Sequence, residues 1–276
     1  LMNLIEMRKV RKSYRQGGFL GSRTSVDVLR GVDLEIPPGR CLGLLGTSGC
    51  GKSTAGRLIL GLEKPDGGGV YYKGHNIQTL NSEDKRRFRR NSQVVFQNSH
   101  GSVNPRFKAW TIVCEPLTYF GKTRKTEQRE KAAMLLKTVG LSERDLDKLP
   151  HQFSGGELQR VCIARALALD PDFIVFDEAV SSLDMYNQSL VLELLSSLKK
   201  ETGMTSLFIS HDLRVLLKIS DSLAIMDKGR ISSLVKDPSD LEFSGGMFDP
   251  AFQELARSVL PSEPVPRPES MRMGYS

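Results

Sequence analysis

The chain has 276 residues, 39% of them hydrophobic, and a formal net charge of +7, which is long enough for one large core or two small ones. No apolar run approaches the ~20 residues that span a bilayer and no secretory leader opens the sequence, so a membrane-embedded or exported protein is not expected. Cys41, Cys50, Cys114 and Cys162, and likewise His75, His100, His151 and His211, are scattered without metal-ligand spacing, which argues against a disulfide framework or a zinc site and fits a reducing compartment.

In chain order, Val32, Leu34 and Ile36 alternate with Asp33 and Glu35, and Val70-Tyr71-Tyr72 follows. This pattern predicts a small antiparallel sheet at the N-terminal end. Cys41-Leu42-Gly43-Leu44-Leu45 reads as a buried strand and runs into Gly46-Thr47-Ser48-Gly49-Cys50-Gly51-Lys52-Ser53-Thr54, a complete G-x-x-x-x-G-K-S phosphate-binding loop. Its glycines let several backbone N–H groups converge on one anion, and a helix starting near Lys52 adds its positive end. Lys52 reaches the outer phosphates, and Ser53 offers a hydroxyl to the Mg²⁺ that travels with a nucleotide.

Downstream, Lys85-Arg86-Arg87-Phe88-Arg89-Arg90 is a basic run. It reads as a solvated helix face, as attraction to an anionic membrane surface, or as a nucleic-acid contact. Val94-Val95-Phe96 is a strand that ends at Gln97, and from about Asn98 to Ala168 the pattern turns helical, with Lys122 to Lys137 charged on one face and Ala132, Leu135 and Leu136 on another. Phe153-Ser154-Gly155-Gly156-Glu157-Leu158-Gln159-Arg160 opens a helix through Val161, Ile163, Leu167 and Leu169. Ser154 is its N-cap and Glu157, three residues on, completes a capping box. After Asp170-Pro171-Asp172, the run Phe173-Ile174-Val175-Phe176 predicts a buried parallel strand ending in Asp177-Glu178. Asp177 is then placed to hold Mg²⁺, and Glu178 to polarise an attacking water. Ser206 to Ser210 predicts another strand, followed by His211. Beyond Leu241, Pro261, Pro264, Pro266 and Pro268 crowd one tract, and about the last fifteen residues read as an extended tail.

Taken together, the phosphate loop, the acidic strand end and the Ser154–Glu157 segment resemble the ATP-binding-cassette family. Its signature is usually Leu-Ser-Gly-Gly-Gln; here Phe153 and Glu157 depart from it. The resemblance implies an α/β P-loop ATPase with a RecA-like parallel-sheet core, an N-terminal antiparallel β-subdomain and a helical subdomain at about 98–168. The cassette would occupy 1–240 and a Pro-rich extension 241–276. It also implies that Ser154, Gly155, Gly156 and Glu157 bind the γ-phosphate of ATP held by an opposing subunit. Gln97 would contact Mg²⁺ and the attacking water, His211 the γ-phosphate, and Tyr14 would stack on adenine. Tyr14 read as a strand residue packs equally well into the small sheet. Ser181-Ser182-Leu183-Asp184 resembles the loop that crosses to the other subunit, although Asp184 is also a natural helix N-cap. A carboxylate at Glu157, where an amide is usual, is expected to weaken the triphosphate contact and slow closure, unless it accepts from a ribose hydroxyl instead.

Within the family, Asn98 to Arg106 (N-S-H-G-S-V-N-P-R) is similar to ATPases of the peptide and nickel import group. Gly17-Gly18-Phe19, Phe208 to Arg214, Val259-Leu260-Pro261 and the Ala at 179 are most similar to the second ATP-binding subunit of nickel importers. That likeness implies ATP and Mg²⁺ as cofactors, and as partners a second, different ATPase subunit, two transmembrane permease subunits and an extracytoplasmic substrate-binding protein. It places the chain on the cytoplasmic face of the membrane, with no specific nucleic acid. Only roughly a hundred residues separate the phosphate loop from the signature, too few for the long coiled coil of the DNA-repair members, and the ribosomal class carries two cassettes in tandem. An oligopeptide importer is the alternative cargo class.

Overall fold

The computed structural model describes residues 2–17, 23–121 and 124–238. The Pro-rich extension expected over 241–276, the Val259-Leu260-Pro261 resemblance and most of Gly17-Gly18-Phe19 lie outside the described residues. Two sheets organise the chain. Strands β1 (Ile5–Gly17), β2 (Arg23–Ile36), β4 (Gly67–Tyr72) and β5 (His75–Asn76) form an antiparallel sheet in the order β2-β1-β4-β5. Its alternation follows the sequence: Val32, Leu34 and Ile36 are buried, and their acidic neighbours face outward.

The second sheet has the order β10-β9-β3-β8-β7-β6. Its strands are β3 (Cys41–Gly46), β6 (Ser92–Phe96), β7 (Phe173–Asp177), β8 (Thr205–Ser210), β9 (Ser222–Asp227) and β10 (Arg230–Val235). All neighbours pair in parallel except β9 and β10, which are antiparallel. The unbroken apolar runs in β3, β7 and β8 follow from burial on both faces. Alternate residues then choose opposite layers. Leu42, Leu44, Phe173, Val175, Leu207 and Ile209 pack with the small sheet and with Ala55, Leu58 and Ile59 of helix α1 (Lys52–Ile59). Cys41, Leu45, Ile174, Phe176 and Phe208 pack against the helical side. There the Phe176 and Phe208 rings stack with centroids 5.3 Å apart.

Helix α2 (Ser82–Asn91) carries the basic run and buries only Phe88, as an outward-facing basic helix should. Between β6 and β7 the chain is helical: α3 (Ala109–Phe120), α4 (Lys125–Thr138) and α5 (Gly155–Leu167) pack on one another. In α4, Ala132 and Leu136 are buried and Met134 and Lys137 exposed, the split expected from its amphipathic pattern. Helices α6 (Met185–Thr202) and α7 (Leu213–Ile219) complete this layer. Helix α5 stops two residues short of Leu169. Asp170 takes a left-handed φ of 50°, which turns the chain into β7.

The four described cysteines are all buried and free. No described helix is long and apolar enough to cross a membrane.

Candidate active site

Four neighbouring strands, β3, β8, β7 and β6, end side by side, and their C-terminal ends carry the phosphate loop, His211, Asp177-Glu178 and Gln97 respectively. Register makes this adjacency: Phe96 pairs with Asp177, Asp177 with Ile209, and Leu45 with Ser210. A cavity of about 840 Å³ opens there, lined by phosphate-loop residues from Thr47 to Thr54 and by Gln97, Glu178 and His211.

The loop's shape rests on two glycines. Gly51 caps α1 with φ 114°, a conformation L side chains rarely adopt. A Cβ on Gly46 would stand 2.4 Å from the Met226 carbonyl oxygen and 2.6 Å from Cys50 Sγ, so β9 and the loop leave it no room. The Cys50 side chain is thus turned into the core rather than the cavity, and burial pushes its thiol pKa up. Lys52 is only 6% exposed. Its Nζ donates to the carbonyls of Gly46 at 2.6 Å and Thr47 at 3.0 Å and lies 4.0 Å from Glu178 Oε1. The Lys52 Nζ therefore stands inside its own loop, hydrogen-bonded to its carbonyls.

Ser53 Oγ donates to Asp177 Oδ1 at 3.0 Å. Burial raises the Asp177 pKa above its ordinary value, and Glu178 adds like-charge repulsion against the Ser53 hydrogen bond and nearby Lys52 and Arg57. A desolvated carboxylate beside a hydroxyl is an all-oxygen donor pair that a hard divalent cation suits, so the residues fit Mg²⁺. Glu178 follows with φ 51°, its N–H donating to the Ile209 carbonyl at 3.0 Å and its Oε2 2.8 Å from His211 Nδ1. A left-handed, non-glycine conformation costs about 1–2 kcal/mol; here it turns the carboxylate toward the cavity. The Gln97 side chain donates to Ser181 Oγ at 3.1 Å, and Ser181 Oγ donates to the Glu178 carbonyl at 2.9 Å.

Tyr14 does not itself line the cavity: its hydroxyl donates to Glu63 Oε2 at 2.5 Å and lies close to the Thr54 side chain, and Thr54 and Arg57 both line the cavity, Arg57 donating to Glu63 Oε1 at 3.1 Å. Ser154, Gly155, Gly156, Glu157 and Asp184 do not line it either. Ser154 caps α5, its Oγ accepting from the Glu157 N–H at 3.3 Å while Glu157 Oε2 accepts from the Ser154 N–H at 2.8 Å. Asp184 caps α6, accepting from the N–H groups of Tyr186 at 3.1 Å and Asn187 at 3.0 Å. The two helix starts interlock, since Gly156 faces Asn187 with no space for a side chain. Val28 and Arg57, unassigned from the sequence, also line the cavity. Arg57 had a signal: it lies four residues past Ser53 on α1, hence on the same helix face.

A phosphate loop and an acidic strand end separated by one intervening strand define a P-loop nucleotide hydrolase. The chain belongs to the ABC transporter family, whose model matches residues 29–181, and as a member it binds ATP. It is 40% identical over 272 residues to the nickel import ATP-binding protein NikE of Shigella dysenteriae serotype 1 (strain Sd197), covering 99% of this chain and all of that protein. It is 41% identical over 266 residues to NikE of Escherichia coli (strain K12), covering 96% and 98%. Among solved structures, the dimeric bacterial ABC transporter cassette MJ0796 superposes with a TM-score of 0.74 at 31% identity, covering 84% of this chain and 98% of that one. The post-hydrolysis dimer of MJ0796 bound to ADP and Pi superposes equally well, at 30% identity.

Proposed function

We propose that the chain is the ATP-hydrolysing subunit of an importer for nickel ion or a nickel chelate, working on the cytoplasmic face of the membrane. The observation that carries this reading is the division of its machinery. The phosphate cavity and the Ser154–Glu157 helix start lie apart on one chain, so a complete site needs two cassettes head to tail. Near-full-length identity to proteins named for nickel import supports the cargo. The partners are a second, different ATPase subunit, two transmembrane permease subunits and an extracytoplasmic substrate-binding protein.

In this reading the residues divide the work. Lys52 exchanges its loop carbonyls for phosphate oxygens, and the N–H groups of the loop cradle the remainder. Ser53 and Asp177, with Gln97, hold Mg²⁺, which when bound neutralises phosphate charge. Glu178 orients a water and takes up its proton, and His211, already on the Glu178 carboxylate, keeps that carboxylate directed into the cavity. Ser154 and Gly156 close over the partner's ATP, Glu157 and Asp184 brace that contact, and Tyr14 lies beside adenine. Loss of the γ-phosphate removes the bridge between cassettes, and the permease subunits follow.

The test is uptake of radiolabelled nickel and of labelled oligopeptide in cells carrying wild type or Lys52→Ala at the native locus. Loss of nickel uptake alone is the expected result. Loss of peptide uptake alone would make it a peptide importer, and loss of neither would overturn a transport role.

A further inference from the structure

Helix α5 holds the segment after Gln97 through a row of polar contacts spaced three residues apart. Gln159 is fully buried, 0% exposed; its Oε1 accepts from the Ser99 hydroxyl and its Nε2 donates to the Phe96 carbonyl at 3.4 Å. One turn on, Cys162 Sγ lies 3.6 Å from Ser102 Oγ, and after the next turn Arg165 Nη1 donates to the Ser102 carbonyl at 2.6 Å. Ser102 Oγ in turn donates to the Ser99 carbonyl at 2.9 Å. Residues 159, 162 and 165 lie along one stripe of the helix, and the whole stripe is given to residues 96–102.

A buried amide with both ends used is costly to misplace. Moving α5 relative to this segment strands either the Ser99 hydroxyl or the Phe96 carbonyl without a partner. Between those two anchors lie Gln97 and Asn98; Gln97 is the one that lines the cavity. The Gln97 side chain donates to Ser181 Oγ, which donates in turn to the Glu178 carbonyl, and Ser182 Oγ reaches the Gln97 carbonyl at 3.5 Å. Gln97 is thus gripped from α5 on one side and from the Glu178 loop on the other. Gln159 lies two residues past Glu157, so the same helix that presents Ser154 and Gly156 at its start clamps the flanks of Gln97.

We propose that Gln159 is a positioning residue that couples the start of α5 to Gln97, so that engagement of a partner's nucleotide at Ser154–Glu157 sets the placement of Gln97 in this chain's own site. This inference rests on the head-to-tail cassette reading above. It differs from a packing role because the effect of Gln159 is routed through Gln97.

The test is a double-mutant cycle on the assembled transporter in membrane vesicles, comparing Gln159→Leu, Gln97→Ala and the pair by ATP titration. Gln159→Leu is expected to lower kcat about tenfold while KM for ATP stays within about twofold, and to cost less than about twofold further in the Gln97→Ala background. Multiplying losses, or a loss confined to KM, would overturn the proposal. If Gln159→Leu does not assemble, Ser99→Ala removes the same buried contact from the other side and must show the same non-additivity with Gln97→Ala; additive losses there overturn it equally. Lys52→Ala run in parallel separates the two layers. If Lys52→Ala hydrolyses ATP normally, the cassette reading fails; if it is inactive while the cycle is additive, only the coupling fails.

Discussion

Gly156→Ala turns the interlock between α5 and α6 into a measurement. A Cβ at 156 would stand 2.6 Å from Asn187 Oδ1, 2.8 Å from its Cγ and 3.0 Å from its Cβ, against ordinary carbon contacts of about 3.5–4.0 Å. Asn187 cannot swing aside freely, because its Nδ2 donates to Asp184 Oδ2 at 2.6 Å and its N–H to Asp184 Oδ1 at 3.0 Å. Either the helix starts separate or the α6 cap breaks, at a cost of about 1–3 kcal/mol. For a chain of this size that is about 2–4 °C in Tm per kcal/mol, read by thermal and urea melts of the nucleotide-free protein. Asn187→Ala trims two of the three close atoms, so Gly156→Ala should cost less than half as much in that background. Equal costs in both backgrounds, or a Gly156→Ala melt matching wild type, would refute the argument.

Three other perturbations address the cavity and the signature. Burial raises the Asp177 pKa, so the folded chain holds this proton more tightly than the unfolded chain; stability present below the ordinary carboxylate value near 3.8 is lost as pH rises through the raised value. Asp177→Asn should therefore raise the Tm of the nucleotide-free chain at neutral pH and abolish the further rise given by Mg²⁺ with ATP; an Mg²⁺-dependent rise as large as wild type would remove Asp177 from the metal site. Glu178→Gln should cut hydrolysis by about 10²-fold or more while ATP stays bound, and Glu178→Gly should do the same while gaining about 1 kcal/mol from its left-handed φ. A normal rate in Glu178→Gln would strip Glu178 of its role. Glu157→Gln should keep Tm within about 1 °C, since Gln also completes a capping box, and should raise ATP affinity and turnover; if both stay unchanged, Glu157 is not a brake.

The phosphate loop, the α5 capping box and the Asp184 cap were legible because each is a local rule, written within about eight consecutive residues. The strand ends were legible as strands but not as neighbours. That Gln97 stands beside Asp177, and His211 beside Glu178, follows from the pairings of β6 with β7 and β7 with β8, and parallel register has no local signature. For the same reason the sequence says nothing of Gly156 against Asn187, or of Gln159 reaching Phe96 and Ser99. Ser222–Asp227 and Arg230–Val235, which form β9 and β10, carry no chemical motif, and only the first is a short apolar run of the buried-strand type. For Tyr14 the sequence leaves two readings open, and the structure gives its hydroxyl to Glu63, which also accepts from the cavity-lining Arg57.

The carboxylate at 157 illustrates how local geometry alters a charge argument. Taken alone, an acid at a triphosphate-facing helix start opposes its ligand. In the fold, the Ser154 backbone N–H is the first cause of a lowered Glu157 pKa, reinforced by the Ser154 side chain and by Lys148 and Arg160, so the carboxylate is ionised and directed to its own helix start. Both its placement at N3 and the positive end of α5 offset that charge. What remains of the opposition is through-space repulsion at a partly exposed site, and salt screens such repulsion over about 8–10 Å. Any difference in ATP affinity between wild type and Glu157→Gln should therefore shrink as salt rises, whereas a difference caused by a lost hydrogen bond would persist.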